Sequence, residues 1–445
     1  MSLRQNQTKA IITQALEQAS LGDVRVSVSA SKGGNARWGD SMPTTSGDIE
    51  RLTVSVTAVT RDGRKATAQS NDTSKSGLAK LVAQAESMAA LSPVDPEIMP
   101  PRGETRYLAA KAFDRKVSTM KAATRAPIVQ SAIEAGTSQG LAMSGYLAHS
   151  DRTVAAGDRA GLFGYTRSTQ LRASTTARTA DGTGSAKAAR VGFGASTVDG
   201  DALASEAALW ALRSKEPTPL DPGDYTVILA PQAVSDLLGF LVGAMSHRAA
   251  VEGRSFFSAP GGKTKIGQAL FHPSITLRSD PTDAKNPAAV MTTDGDPQPM
   301  VTWIEKGVLR ALRAGRFWGD QAGVPVRPSP SSLHLSGGAS TDSLLDLIGK
   351  VDKGVLVSRL WYNRMLQPRT ITSTGLTRDG TFWIEGGKIV RPVKNLRYND
   401  SVVTLLSNVA EMGAPVRAGG TTDRTDVVPP MIVDGFHFDS TSDAV

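Results

Sequence analysis

The spacing of hydrophobic positions in the first hundred residues changes along the chain, and each spacing predicts a different element. Apolar side chains recur at helical spacing over residues 8–20 and again over residues 76–88, which predicts two helices. Residues 24–28 and 52–56 alternate valine or leucine with polar residues, which predicts two half-buried strands. An Asp-Gly pair at residues 62–63 favours a hairpin turn after the second strand.

Two proline-rich stretches separate three segments of the chain. Residues 92–101 (SPVDPEIMPP) carry four prolines, and residues 215–224 (KEPTPLDPGD) carry three, a composition typical of linkers. We therefore predict an N-terminal α+β domain over residues 1–100, a strand-rich middle segment over 101–220 and a C-terminal domain over 221–445.

The middle segment is rich in small and β-favouring residues. Residues 140–194 combine Gly, Ser, Thr and Ala with short alternating runs, which predicts long antiparallel hairpins. Apolar residues around 128–133 and 200–214 predict a helix before and a helix after these hairpins.

The C-terminal segment begins with a clear strand and helix and then becomes irregular. Residues 225–229 predict a strand, and Pro231 occupies a plausible first-turn position of the helix that follows it. From about residue 265 to the end, we expect short strands mixed with Pro/Gly-rich loops. Because strands and helices do not alternate steadily, the predicted fold class is α+β with mostly antiparallel sheet rather than a doubly wound fold.

Composition excludes several chemistries. The chain of 445 residues has no cysteine, so it offers no disulfide, thiol nucleophile, iron–sulfur cluster or Cys-ligated zinc. Its N-terminus lacks the apolar core of a signal peptide, and no run of about 18 apolar residues occurs. We therefore expect a soluble cytoplasmic protein that does not enter a membrane.

The net charge of +8 raises the question of nucleic-acid binding. Lys and Arg total 50 against 42 Asp and Glu, and neither sign forms a long block. Aromatic residues are sparse at 5%, and no RNA-recognition or helix-turn-helix signature is present. These features favour dispersed, solvated charges, and we predict no specific nucleic-acid partner.

The histidines do not have the spacing of a zinc peptidase, which needs two ligands on adjacent turns of one helix and a nearby glutamate. The five histidines are His149, His247, His272, His334 and His437. The nearest approach to a motif is His247 with Glu252, which we interpret as the end of a surface helix. This pattern predicts no metal site in the chain.

Two other catalytic motifs are incomplete. Gly262-Lys263-Thr264 resembles the end of a phosphate-binding loop, but Phe257 stands where that loop requires a glycine. Ser144-Gly145 lacks the first glycine of a nucleophile elbow. We interpret the glycine of the first motif as an ordinary turn residue. A serine-based site assembled in space is left open.

Three stretches resemble the TldD/PmbA peptidase family. Residues 60–101 resemble its first domain, in which a strand and turn lead to a helix and an SPxDP linker. Residues 221–257 resemble the start of its third domain, and residues 380–413 resemble its late strand pair and the helix after it. The stretches occur in the family's order and spacing over nearly the whole chain.

The resemblance also implies that this chain lacks the family's zinc ligands. In the TldD branch one helix carries HExxxH, whose histidines bind zinc and whose glutamate serves catalysis, and a late cysteine is the third ligand. LLGFLVGA places Gly239 and Ala244 at the two histidine positions and Phe240 at the glutamate position, and Pro415 falls within about a residue of the cysteine. The resemblance therefore points to the TldE/PmbA branch, and we predict no catalytic, cofactor-binding or metal-binding residue in this chain.

Members of that branch pair with a TldD-type zinc subunit in a cytoplasmic metallopeptidase that acts on small or unfolded peptides and matures ribosomally made peptides. The resemblance thus implies a pseudoenzyme subunit of a heterodimer, with zinc in the partner. Residues 140–194 are the expected wall of the peptide channel. Two alternatives remain open: a stand-alone homodimeric peptide-binding scaffold, and an enzyme with an unrecognised non-metal site.

Overall fold

A computed structural model describes residues 3–419 and 425–442 of the chain. The elements of its first half are α1 (Gln5–Glu17), β1 (Asp23–Gly39), β2 (Met42–Val59), β3 (Lys65–Ser70), α2 (Lys75–Leu91), α3 (Arg115–Ser118), α4 (Ala122–Thr137), β4 (Leu141–Asp158), β5 (Phe163–Thr179), β6 (Ser185–Gly192) and α5 (Gly200–Arg213). They include both predicted helices and both predicted strands of the first hundred residues. The two strands, β1 and β2, extend well beyond the alternating residues 24–28 and 52–56 from which they were predicted.

The first half of the chain forms one antiparallel sheet with the strand order β3-β2-β1-β4-β5-β6. Alternate residues of β1 and β2 are buried under α1 and α2, because the valines of each strand share one face. Towards the other end of the sheet, α4 and α5 cover a second apolar cluster that includes Trp38 and Leu203. The predicted hairpins over 140–194 are confirmed as β4, β5 and β6.

The turn predicted at residues 62–63 is confirmed between β2 and β3. Gly63 has a φ of +84°, a conformation that glycine adopts without steric cost. The predicted division of the chain at residues 100 and 220 stays a prediction. The first sheet runs across residue 100, since β1 pairs with β4 along most of its length.

The second half of the chain is more strand-rich than the sequence predicts. Its elements are β7 (Gly223–Leu229), α6 (Pro231–Ala244), α7 (His247–Val251), β8 (Ser258–Ala259), β9 (Lys263–Thr264), β10 (Thr276–Ser279), β11 (Val301–Glu305), β12 (Val308–Leu309), α8 (Arg316–Ala322), β13 (Ser332–Ser336), α9 (Leu344–Ile348), β14 (Lys353–Gln367), β15 (Thr372–Glu385), β16 (Lys388–Pro392), β17 (Asn395–Ser401), α10 (Val402–Ser407), β18 (Val409–Met412), β19 (Val416–Ala418), β20 (Thr425–Val428) and β21 (Met431–Ser442).

These strands form two larger sheets around α6 and a small β8–β9 hairpin. One sheet has the order β12-β11-β10-β13-β20-β19, and the other has the order β14-β7-β21-β17-β15-β16. Most pairings are antiparallel, and β7 with β14 and β13 with β20 are parallel. The largest apolar core of the described residues lies between α6 and these sheets. The α+β fold class with mostly antiparallel sheet is confirmed.

The expectation of only short strands after residue 265 is wrong for β14, β15 and β21. These strands span 15, 14 and 12 residues. Residues 354–357 of β14 are buried without alternation, because α6 covers one face of the sheet and α9 the other. A strand that is buried on both faces loses the period-2 pattern by which it would be recognised in the sequence.

Among the helices in the described parts of the chain, none is long and apolar enough to cross a membrane.

Candidate functional site

Helix α6 is the element on which the family resemblance places two zinc ligands and a catalytic acid. It begins at Pro231, where the missing N–H and fixed φ of proline suit the first helical position. The backbone N–H of Ala230 donates to the Val357 carbonyl at 3.0 Å, which ties the start of α6 to β14. Its apolar residues, Leu237 and Leu241 among them, are buried in the main core.

The positions assigned to the family's zinc ligands carry no metal-binding side chain. Phe240 and Ala244 pack against the main core, and Gly239 precedes them on the same helix. Pro415 directly precedes β19, a strand that contacts α6. Glycine, alanine, phenylalanine and proline side chains have no lone pair for a zinc ion, so these four positions offer no zinc ligand.

The histidines lie on separate elements: His149 on β4, His247 at the start of α7, His334 on β13 and His437 on β21, with His272 in a loop. Within residues 3–419 and 425–442, no group of three or more His, Asp or Glu is arranged to hold a metal. The absence of a metal site stays a prediction that metal analysis has to test.

The pair of His247 and Glu252 does not form a site. Glu252 is bound by Arg248 and Arg254 at the end of α7, which accounts for its position. The end of α7 lies at the surface, where Arg248 and Glu252 are exposed, whereas His247 itself is only 7% exposed. Burial lowers the pKa of His247, because the charged imidazolium would lose its hydration.

The two incomplete motifs lie in ordinary secondary structure. Lys263 is in the β8–β9 hairpin, where Gly261 and Gly262 take the positive φ of a turn, as predicted. Ser144 lies inside β4, and its hydroxyl accepts a hydrogen bond from the backbone N–H of Asp40 at 3.3 Å. This is not the strand-to-helix turn that a nucleophile elbow requires.

A pocket of about 410 Å³ opens where the first sheet meets the C-terminal sheets. Its walls come from β6, α5, the first turn of α6, β14, β15 and β19. Four basic side chains and two acidic ones line it: Lys187, Arg190, Arg359, Arg417, Glu206 and Asp379. We call this the interdomain pocket, and it adjoins the first turn of α6.

A buried ion pair forms the floor of the interdomain pocket. The Arg359 guanidinium on β14 lies 2.8 Å from the Asp379 carboxylate on β15, and the two side chains are 8% and 7% exposed. Ser185 at the start of β6 donates a hydrogen bond to the same carboxylate at 3.2 Å, which links the first sheet to β15. Asp379 adopts a φ of +55°, a left-handed conformation in which Asp and Asn are enriched.

Two further ionisable side chains act on this ion pair. Asp236 of α6 accepts hydrogen bonds from the Gln232 amide at 3.0 Å and from the Leu360 N–H at 3.1 Å. Burial raises the pKa of Asp236 to about 6, although Arg359 opposes the shift. Burial and the Arg359 charge lower the pKa of Lys187, against the attraction of Asp379 and Asp236. Four chain segments thus contribute to one electrostatic cluster.

Sequence analysis missed this cluster. Its members are separated by long stretches of chain, so no local sequence spacing predicts that they lie together. The one available signal was Asp236, a charge inside the apolar run of α6. A buried carboxyl group with a shifted pKa in a cleft is typical of functional sites, although buried ion-pair networks shift pKa values as well.

The pKa of Asp236 leads to a prediction about pH and stability. Because the folded protein holds the proton more tightly than the unfolded chain, ionisation of Asp236 costs stability as the pH rises from about 4 through 6. Asp236→Asn should therefore raise the thermal unfolding midpoint at pH 8 by about 3 °C and leave it unchanged at pH 4. Calorimetry at both pH values measures the two unfolding midpoints, and Asp320→Asn, at an exposed position, is the control. Equal shifts at pH 4 and pH 8 would contradict it.

Comparisons with known proteins agree with this fold. The model of the C-terminal domain of PmbA/TldA metallopeptidases matches residues 222–440, and the model of their domain 1 matches residues 24–89. A search of curated protein sequences found no match.

Solved structures with 16–17% sequence identity share the fold over 97% of this chain. They are TldE from Thermococcus kodakarensis (TM-score 0.85, 99% of that chain covered), a candidate modulator of a DNA gyrase from Thermotoga maritima (0.83, 99%) and another from Bacteroides thetaiotaomicron (0.80, 98%). Since the two family models together cover most of the sequence, the chain belongs to the PmbA/TldD metallopeptidase family.

Proposed function

We propose that this chain is the non-catalytic, TldE/PmbA-type subunit of a cytoplasmic heterodimeric zinc metallopeptidase. In this proposal a TldD-type partner supplies the zinc and hydrolysis, and this chain helps to bind and position small or unfolded peptides. The observation that supports the proposal is the sequence of α6, in which Gly239 and Ala244 stand where the resemblance places the two histidines of HExxxH and Phe240 where it places the glutamate. A fold kept without its ligand side chains suits a subunit whose chemistry lies in its partner.

The first sheet offers an edge at which an extended peptide could add a strand. Residues 42–51 of β2 are exposed on both faces. β3 pairs only with residues 54–59 of β2, so within the described residues no strand covers the outer edge of residues 42–53. Main-chain hydrogen bonds at such an edge bind peptides with little dependence on their sequence. The role of residues 140–194 as a channel wall stays a prediction, and their edge strand β6 lies against β15 and β19.

Co-expression tests the proposal. When the chain is produced together with a TldD-type protein from the same organism, we expect a one-to-one complex that contains one zinc ion and cleaves peptides until a chelator is added. The chain alone should hold no stoichiometric zinc and show no peptidase activity, because its α6 positions have no ligands. Sizing with mass measurement, metal analysis and a peptide-cleavage assay give the three results.

A pair of matched histidine variants locates the metal. A His→Gln change in the partner's HExxxH motif should remove zinc from the complex. His437→Gln in this chain, which changes an exposed histidine beside Asp224, should leave the zinc content unchanged. One zinc ion per subunit in the isolated chain, together with peptidase activity, would refute the proposal. Activity of the isolated chain in the presence of chelator would instead favour an unrecognised non-metal site. A homodimer that does not bind the TldD-type protein would favour the scaffold alternative.

A further inference from the structure

A β-bulge in the outer half of β14 changes which side chains of this strand face the core. The register with β15 shifts between Trp361 and Arg364, where β14 contains one residue more than its partner strand. Leu360 before the shift and Met365 after it both contact the main core. Four side chains around the bulge are exposed instead: Trp361, Tyr362, Arg364 and Leu366. We call these four residues the hairpin patch.

The hairpin patch has the composition of a protein interface. Trp361, Tyr362 and Leu366 are 38%, 63% and 54% exposed. The rings of Trp361 and Tyr362 lie 5.2 Å apart between centroids, and the Arg364 guanidinium lies 4.9 Å from the centroid of the Tyr362 ring. Trp, Tyr and Arg are the residue types that most often dominate binding energy at interfaces. Large apolar side chains exposed together on a soluble protein are typical of an interaction site.

The backbone holds Tyr362 in this exposed position at an energetic cost. Its φ of +57° lies in the left-handed region, which is unfavourable for a bulky side chain. The neighbouring Asn363 Oδ1 accepts a hydrogen bond from the Tyr398 hydroxyl at 3.0 Å. Opposite the bulge, a Cβ on Gly375 would lie 2.2 Å from the same oxygen, so only glycine leaves room for this arrangement. Backbone strain that is held in place from both strands is typical of functional positions.

The charge of the hairpin indicates the chemistry of its partner. Residues 353–378 contain five Lys or Arg and no Asp or Glu. Within residues 3–419 and 425–442, neither Arg364 nor Arg369 has a carboxylate within ion-pair distance, and the nearby Asp379 pairs with Arg359. A partner surface that carries carboxylates complements this hairpin.

These charges disfavour a second copy of this chain at the patch. In a two-fold symmetric dimer centred on the patch, Arg364 of one copy would approach Arg364 of the other. The net charge of +8 on each copy would add to the repulsion. A subunit of different sequence avoids both costs.

We propose that the hairpin patch docks an acidic surface of the TldD-type subunit, which buries Trp361 and Tyr362 and places carboxylates beside Arg364 and Arg369. This inference rests on the proposed heterodimer and adds the surface through which this chain forms it.

Tyr362→Asn is the variant that tests the inference most directly. Asparagine adopts a left-handed φ more readily than tyrosine, so the variant should unfold at the same or a higher temperature than the natural chain. Its affinity for the TldD-type protein of the same organism should nevertheless fall about 30-fold, the effect of losing an interface hot spot. Differential scanning calorimetry gives the first result, and isothermal titration of the full chain gives the second.

Two further variants have matched controls elsewhere on the surface. Leu366→Asn should weaken the complex, whereas Leu91→Asn, at a position that is 87% exposed, should not. Arg364→Glu should weaken the complex about tenfold and reduce the dependence of its affinity on salt. Arg61→Glu, in the exposed turn after β2, should change neither quantity.

The outcomes separate this inference from the heterodimer itself. If the heterodimer forms and the patch variants bind with unchanged affinity, the inference is overturned and the heterodimer stands. If the unaltered proteins form no complex, both are overturned. The inference also fails if Tyr362→Asn dissociates a homodimer of the isolated chain or releases a single-stranded DNA oligonucleotide bound at physiological salt, because either result would assign the patch to another partner.

Discussion

Arg359→Met is expected to lower the free energy of unfolding by about 3 to 5 kcal/mol. The side chains of Arg359 and Asp379 are both more than nine-tenths buried and lie 2.8 Å apart. Methionine fills much of the arginine's volume but leaves the largely buried Asp379 carboxylate without its paired cation. An uncompensated buried charge of this kind is among the most destabilising changes known for single residues.

The nearby carboxyl group of Asp236 strengthens this effect. Arg359 is the largest favourable influence on the charged form of Asp236, so its removal raises the pKa of Asp236 further. At neutral pH Asp236 therefore resists ionisation more strongly in the variant than in the natural chain. Because protonation relieves this buried charge, the loss of stability should be smaller at pH 5 than at pH 8. Urea unfolding followed by tryptophan fluorescence at the two pH values measures the difference.

The double variant Arg359→Met/Asp379→Asn is the control. Asparagine accepts the left-handed φ of position 379 and removes the stranded charge, so most of the lost stability should return. A double variant as unstable as Arg359→Met would show that the packing of arginine, not its charge, holds the sheets together. A single variant as stable as the natural chain would contradict the buried ion pair itself.

The sequence predicts those parts of the fold that depend on local periodicity. The valines of β1 and β2, the apolar face of α2 and the proline at the start of α6 lie where their spacing places them. Strand partners are beyond such reasoning, because pairing depends on contacts between distant parts of the chain. β1 pairs with β4, which lies more than a hundred residues later in the chain. The local sequence of neither strand identifies the other as its partner.

The candidate site shows the same limit more sharply. The resemblance identifies positions 239, 240 and 244 because they are close in sequence within one helix. The cluster of Lys187, Asp236, Arg359 and Asp379 forms only when β6, α6, β14 and β15 meet. Each of these residues alone is an ordinary charge in the sequence. Their burial, which gives them chemical interest, is a property of the assembled sheets.

Two glycine-to-alanine changes in helices should act in opposite directions. Gly200 is the first residue of α5, and a Cβ there would lie 2.3 Å from the Ile128 carbonyl oxygen of α4. Gly243 is in the last turn of α6 and is exposed, and a Cβ at this position would meet no other atom within 4 Å among the described residues. The two substitutions are chemically identical, so the difference between them reports the packing of α5 on α4.

For Gly200→Ala we expect a loss of about 2 to 3 kcal/mol in the free energy of unfolding, because the overlap is with backbone that cannot rotate away. For Gly243→Ala we expect a gain of about 0.5 to 1 kcal/mol, the intrinsic helix preference of alanine over glycine. Urea unfolding of both variants against the natural chain gives the two values. Stabilisation by both variants would show that α5 and α4 do not approach each other this closely at Gly200.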